Sequence, residues 1–246
     1  MATVLVGGGA GGVGEGIVEH LLRAEHTVIV PSRDEAKLAE LRRRLTLSVP
    51  LDRLVTVVAQ IGEPAGAESL RDELLRDEHR IDAAVASLGG WWEGRRLTET
   101  SVDAWNSVMH EMLTTHFVFA RTFVPMLLRQ GGGRYIGIGG GAAYVPVPLA
   151  APVSVAGAAQ LMLTRALRAE IDDAAVEIME LVIDGPVRTR HSADFALPGW
   201  IELAEIGPIV VDLVEQGFTR DPRTQTDGPI ISMRSFAARD VPGRHG

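Results

Sequence analysis

The chain has no cysteine, a single lysine, Lys37, and only two tyrosines, Tyr135 and Tyr144. The first absence excludes disulfides and thiolate zinc sites. The other two leave no tyrosine followed four residues later by a lysine, so a phenol activated by a nearby ammonium group has no obvious place to form. No pair of histidines or carboxylates shows metal-ligand spacing, and no G-x-S-x-G nucleophile turn occurs, so no metal site is expected. No apolar run reaches membrane-spanning length, and the start lacks a basic segment followed by a secretory apolar core; the expected location is cytoplasmic. A net charge of −8 and a pI of about 5.4 disfavour nonspecific nucleic-acid or anionic-membrane partners. With no Ser/Gly linker or charge block dividing it, the stretch 1–246 reads as one α/β domain.

What is present is a rhythm. Short β-branched runs near 3–7, 27–31, 54–59, 82–87, 134–139, 177–183 and 229–233 alternate with helical patterns near 12–24, 34–46, 64–79, 102–130, 151–172 and 200–216. That alternation predicts a Rossmann-type doubly wound parallel sheet of about seven strands. The strands are mostly apolar rather than strictly alternating, as expected when helices cover both faces. Ligands in such folds bind beyond the carboxyl ends of the strands, so the loops after residues 7, 31, 60, 87, 139 and 183 form the candidate site.

The first of these loops, Gly7-Gly8-Gly9-Ala10-Gly11-Gly12-Val13-Gly14, stands between an apolar strand and a helical pattern. Gly7, Gly9 and Gly12 fit G-x-G-x-x-G; Gly8, Gly12 and Gly14 fit G-x-x-x-G-x-G. Such glycines let the backbone approach a pyrophosphate at a helix N-terminus. At the end of the second strand, where NAD-binding proteins place an acid on the ribose 2′-OH, the chain reads Val30-Pro31-Ser32-Arg33. Ser32 and Arg33 suit a 2′-phosphate, which favours NADP(H) over NAD(H); the plain alternative is that Arg33 pairs with Asp34 or Glu35. Gln60 and Ile61 follow the third strand, where they would flank an adenine or simply form an ordinary loop.

These motifs, taken in order, resemble the short-chain dehydrogenase/reductase family along nearly the whole chain. Gly8-x-x-x-Gly12-x-Gly14 stands for its T-G-x-x-x-G-x-G, and Asp82 to Gly89 for D-x-L-V-N-N-A-G. Trp105 matches the tryptophan that opens the fifth helix. Gly133 to Ile138 matches G-R-I-V-N-I, Leu163 to Leu167 matches L-T-R-A-L, and Asp184 to Thr189 matches P-G-P-V-R-T. The resemblance implies a dinucleotide held by Gly8, Gly12, Val13, Gly14, Gly89, Gly185 and Thr189, the last on the nicotinamide amide. It also implies a homodimer or homotetramer built on helices 102–130 and 151–172, and a small-molecule substrate.

The same alignment puts Met112, Gly140, Val153 and Gly157 where the family carries its catalytic Asn, Ser, Tyr and Lys. The usual proton relay is therefore missing. A positioned general acid is worth about 10²–10⁴-fold, so ordinary ketone reduction would be slow. Three residues are candidate replacements. Asp184 borders the expected nicotinamide in a position where the family has proline, or else caps the loop before Gly185-Pro186. Tyr144 lies four residues after Gly140 and either donates to an oxyanion or packs. His116 lies one turn beyond Met112, with His110 two residues before it; each either shuttles a proton or serves packing. Gly139-Gly140-Gly141 either exposes N–H groups or leaves room. Trp91-Trp92 either shapes an apolar pocket or covers a sheet edge. Arg42-Arg43-Arg44 reads as a solvated face, and His191 falls in the family's mobile substrate lid. Two functions stay open: an atypical NADP(H)-dependent oxidoreductase acting on a small carbonyl or conjugated substrate, and a non-catalytic NADP(H)-binding sensor or partner subunit.

Overall fold

The computed structural model describes residues 1–77, 79–171, 175–217, 224–227 and 230–233. Its elements run β1 (Thr3–Gly7), α1 (Gly12–Arg23), β2 (Thr27–Ser32), α2 (Glu35–Leu45), β3 (Leu54–Val58), α3 (Pro64–Arg76) and β4 (Ala83–Ala86). A 3-10 turn (Leu97–Glu99) leads to α4 (Val102–Met109), a π-helical segment (His110–Thr114), α5 (Thr115–Arg129) and β5 (Gly133–Gly140). A second 3-10 turn (Gly141–Ala143) precedes α6 (Ala151–Glu170), β6 (Val176–Ile183), β7 (Val187–Arg188), β8 (Ile201–Glu202), α7 (Leu203–Gln216), β9 (Thr224–Asp227) and β10 (Ile230–Met233).

The main sheet has the order β3-β2-β1-β4-β5-β6-β10-β9. Seven strands are parallel, as the sequence predicts; β9 adds an antiparallel edge, with Ile231 opposite Thr226. Strand composition explains the two-sided burial. In β1, Val4 and Val6 pack into the layer formed with α1, α2 and α7, whereas Leu5 packs into the opposite layer with α3 and α5. A strand apolar on both faces has to be covered on both faces, and here it is. Helix α1 buries Ile17, Val18, Leu21 and Leu22, the stripe spaced at three and four residues that its sequence shows.

Several expected boundaries shift. The helix expected over 102–130 is interrupted by the π segment at His110–Thr114, which contains Met112. The helix expected from 200 starts at Leu203, because Ile201 and Glu202 pair with Val187 and Arg188 in a two-stranded parallel sheet instead. Residues 78, 172 and 229, included in the expected elements, lie outside the described residues. The strand order reverses between β1 and β4, and the loops at their carboxyl ends meet there: the Ser87 N–H donates to the Gly7 carbonyl at 2.9 Å. Among the described residues no helix is long and apolar enough to cross a membrane.

Candidate functional site

The glycine loop turns at this switch point. Gly8 has φ +77°, and a Cβ there would lie 1.9 Å from the Ser87 carbonyl oxygen. A Cβ at Gly14 would lie 2.2 Å from the Gly8 carbonyl oxygen, so helix α1 can start this close to the loop only without a side chain. Gly11 caps α1 with no side-chain bond, and no backbone carbonyl among the described residues accepts from the Gly12 or Val13 N–H. A cradle that side chains would fill, with unpaired N–H groups at a helix start, fits a dinucleotide pyrophosphate. Thr189 approaches from the other side, 2.9 Å from where a Gly12 Cβ would stand.

At its carboxyl end β2 delivers Ser32, followed by Arg33. Asp34 accepts from the Lys37 N–H at 3.2 Å and so caps α2; its own N–H donates to Ser32 Oγ at 3.2 Å. Arg33 is exposed and makes no ion pair with Asp34, Glu35 or any other carboxylate among the described residues. After β3, Gln60 is exposed, whereas the adjacent Ile61 is buried, its Cδ1 3.1 Å from where a Gly7 Cβ would stand. Ile61 thus supports the loop from within the apolar layer.

The opposite end is apolar. Val153 is buried in a small cluster with Val108 and Ala150, against which Trp92, Met109, Met112, Ala142 and Val147 pack. Two of the four positions where the family resemblance expects polar catalytic groups, Met112 and Val153, therefore share one apolar cluster. Gly157 faces Ala143, whose Cβ would be 3.2 Å from a Cβ on Gly157, and nothing lies within 4 Å of one on Gly140. Trp92 belongs to this cluster, while Trp91 is exposed. Gly89, at φ +93°, approaches the Met112 side chain.

The candidate replacements separate. Asp184 lies at the end of β6, its N–H donating to the Met233 carbonyl at 2.8 Å, and its Oδ1 is 2.5 Å from where a Gly141 Cβ would stand. The Tyr144 hydroxyl is half exposed and lies 3.3 Å from Ser232 Oγ. Both stand beyond the carboxyl ends of β5 and β6, with exposed Gly185 next to Asp184. His116 does not face the cleft. It is buried, its Nε2–H donates to the Leu88 carbonyl at 3.2 Å, and burial lowers its pKa to about 4, so it is a neutral tie between α5 and the loop after β4. His110 is exposed and pairs with Glu63 at 3.3 Å. Tyr135, on β5, is buried in the layer with α3 and α5, and burial raises the phenol's pKa.

Three features escape the sequence. Glu180, on β6, is fully buried; Thr164 Oγ1 donates to its Oε2 at 2.5 Å, and Oε1 has no hydrogen-bond partner. Desolvation raises its pKa to about 7. A Cβ on Gly139 would lie 2.6 Å from Glu180 Oε1, so the glycine run makes room: Gly139 for Glu180, Gly141 for Asp184. The signal was a lone acid in the run Ile178-Met179-Glu180-Leu181-Val182 opposite alternate glycines. Second, Arg44 is not part of a solvated face. Its Nε and Nη2 donate to the Glu15 carboxylate at 2.7 and 2.8 Å, tying α2 to α1. Third, Arg190 reaches back to the glycine loop, and Ser192 closes a tight turn beneath it. The Arg44 and Arg190 contacts, spanning 29 and 180 residues, leave no local sequence signal.

Comparison with known proteins supplies the family. The profile of the short chain dehydrogenase family matches residues 2–196. The rhamnolipids biosynthesis 3-oxoacyl-(acyl-carrier-protein) reductase of Pseudomonas aeruginosa is 30% identical over 139 residues, 55% of this chain and 53% of that protein. The chain thus spans about half the length of that relative. Among solved structures, ElxO with NADP bound superposes with a TM-score of 0.81 at 16% identity, covering 95% of this chain and 97% of that one. The Pseudomonas aeruginosa RhlG/NADP active-site complex gives a TM-score of 0.79 at 23% identity, with 95% and 94% covered. Structural likeness at such identities establishes the fold, whereas the profile match extends over most of the sequence. The chain belongs to the short-chain dehydrogenase family.

Proposed function

We propose that the protein is an NADP(H)-dependent oxidoreductase that acts on a small carbonyl or conjugated substrate with an apolar body, using a proton source other than the family's usual tyrosine. The observation that carries the cofactor reading is the glycine cradle at the switch point, with Arg33, just after β2, free of carboxylates among the described residues. The solved relatives ElxO and RhlG, each described with NADP, support the same reading. Gly8, Gly12, Val13 and Gly14 would hold the pyrophosphate, and Ser32 and Arg33 the 2′-phosphate, a match of charged donors to phosphate oxygens. Gln60 and Ile61 would bound the adenine, and Gly89, Gly185 and Thr189 the nicotinamide end.

When bound, the nicotinamide supplies a hydride to the carbonyl carbon. The chain then has to deliver one proton to the oxygen and exclude competing water. Asp184 is the acid we favour and Tyr144 the second, because both stand at the carboxyl ends of β5 and β6 while His116 is locked in the core. The loops flanking this end expose Trp91, Val145, Leu149, Phe195 and Leu197, an apolar rim suited to an apolar substrate body. Orientation alone contributes up to roughly 7–11 kcal/mol, so turnover without the usual relay is slow rather than impossible.

The rival reading, a non-catalytic NADP(H) sensor or partner subunit, draws on the apolar packing of Met112 and Val153. NADPH consumption over a carbonyl panel separates the two: steady oxidation supports the enzyme, and tight binding without oxidation supports the sensor. We further propose a homodimer through the groove of about 420 Å³ between α5 and α6, where Phe117 and Met162 are exposed.

A further inference from the structure

The segment that leaves β6 does not hang loose over the site. Its two ends are zipped together by the pairing of Val187 with Ile201 and Arg188 with Glu202, and by an Arg188–Glu202 ion pair at 2.9 Å. Within it, Ser192 closes a turn. The Thr189 N–H donates to Ser192 Oγ at 2.9 Å, Ser192 Oγ donates to the Val187 carbonyl at 2.9 Å, and the Ser192 N–H donates to the Thr189 carbonyl at 3.1 Å. Phe195 and Trp200 stack edge to face at 5.8 Å further along. The segment 187–202 is thus a built strap with a fixed tip.

That tip carries Arg190. Its Nη2 donates to the Ala10 carbonyl at 3.0 Å, its Nη1 approaches the Gly11 carbonyl at 3.5 Å, and the same Nη1 pairs with Glu15 in the first turn of α1. Glu15 also takes both bonds from Arg44. Arg44 also pairs with Glu40 at 2.7 Å; between them Arg190 and Arg44 neutralise Glu15 at the mouth of the glycine loop, where an unpaired carboxylate would repel phosphate. His191, beside Arg190, is held below its ordinary pKa by burial and by the Arg190 and Arg44 charges, as an imidazole in a positive field should be.

We propose that Arg190 is a latch: its bond to Glu15 and the loop carbonyls holds the strap shut across the dinucleotide loop, and breaking it sets the rate at which a bound nicotinamide dinucleotide leaves. Arg190 is a positioning residue acting through the strap, and its role rests on the cofactor reading above. The latch grips the loop that serves the pyrophosphate, common to both nucleotides, so it does not discriminate between them, whereas Arg33 does. A partly buried, charge-assisted contact acts mainly on dissociation.

The test is stopped-flow release of NADPH and of NADH from the full-length protein, with Arg190→Ala, Glu15→Gln and the double variant. Arg190→Ala should release both nucleotides about tenfold faster or more, Glu15→Gln should also speed release, and the double variant should be no faster than Arg190→Ala, because Glu15→Gln removes one of the contacts that Arg190→Ala removes. Arg44→Ala, which leaves the Arg190–Glu15 pair in place, should change release less than Arg190→Ala. Release from Arg190→Ala within twofold of the parent, or additive effects in the double variant, overturns the latch while leaving the cofactor reading intact. Failure of the parent protein to bind either nucleotide overturns the cofactor reading, and the latch's role with it.

Discussion

Replacing Glu180 with glutamine should make the protein more stable at alkaline pH and leave it nearly unchanged at acid pH. The carboxyl is fully buried between β5, β6 and α6, with one oxygen bonded to Thr164 and the other unpaired. Desolvation moves its pKa from 4.5 to about 7, against the Thr164 bond and the Arg165 charge, which pull the other way. Between those values the folded chain keeps a proton that the unfolded chain releases, so stability falls as pH rises through the window and stays low above it. At about 1.4 kcal/mol per tenfold change in proton affinity, the loss amounts to about 3 kcal/mol. His116 hides this slope in the parent protein. Its pKa falls from 6.5 to about 4, so the unfolded chain gains a proton that the fold refuses, and stability falls as pH drops across that range. The two slopes oppose one another where they overlap, so the informative quantity is the difference between Glu180→Gln and parent. Denaturant unfolding at pH 4.5 and pH 8 should show the variant's advantage growing by about 3 kcal/mol, or about 6–12 °C in Tm for a chain of this size. An advantage that is the same at both pH values would refute the reading of Glu180 as a desolvated acid.

Three further outcomes follow from the same geometry. Gly8→Ala forces a side chain into positive φ against the Ser87 carbonyl and should cost about 1–3 kcal/mol while weakening NADPH binding at least tenfold, as read by unfolding and calorimetry. His116→Ala leaves the Leu88 carbonyl without its donor and a cavity beside it; stability should drop by about 2–4 kcal/mol, and the loss of stability on acidification from pH 6.5 toward 4 should shrink. Phe117→Asp places a charge in the α5–α6 groove and should turn a dimer into a monomer by light scattering without changing NADPH affinity.

The fold was legible because its signals are local. Apolar strands such as Val4-Leu5-Val6 and the stripe Ile17, Val18, Leu21, Leu22 decide element type by period alone, and the seven parallel strands lie where those signals put them. The glycine turn was legible from its spacing, although only Gly14 answers to the loop itself, whereas Gly8 makes room for the Ser87 carbonyl and Gly12 for Thr189. What the sequence hid depends on pairings across the chain. Nothing near His116 announces that Leu88 will bury its ring, and nothing near Arg190 points to Glu15. Helical spacing placed His116 one turn from Met112, but spacing does not say which side of the π segment at His110–Thr114 faces the core. Of the two readings open for Gly139-Gly140-Gly141, room is the one realised at 139 and 141, and what fills it, Glu180 on β6 and Asp184 just after it, comes from distant sequence. The short pairing of β7 with β8 has too few residues to show a period.

On the proposed reading, the glycine loop after β1 holds an NADP(H) molecule whose 2′-phosphate rests on Ser32 and Arg33. Calorimetric titration of the purified protein with NADPH and NADH, repeated with Arg33→Ala, tests it most directly. Removing one charge-assisted contact worth about 1.5–3 kcal/mol should weaken NADPH binding by roughly 10- to 150-fold and leave NADH binding nearly unchanged, closing the gap between the two nucleotides. Equal affinity of the parent for both nucleotides, or a loss in Arg33→Ala that is the same for each, would contradict the assignment of the 2′-phosphate site; binding of neither would contradict the cofactor reading as a whole.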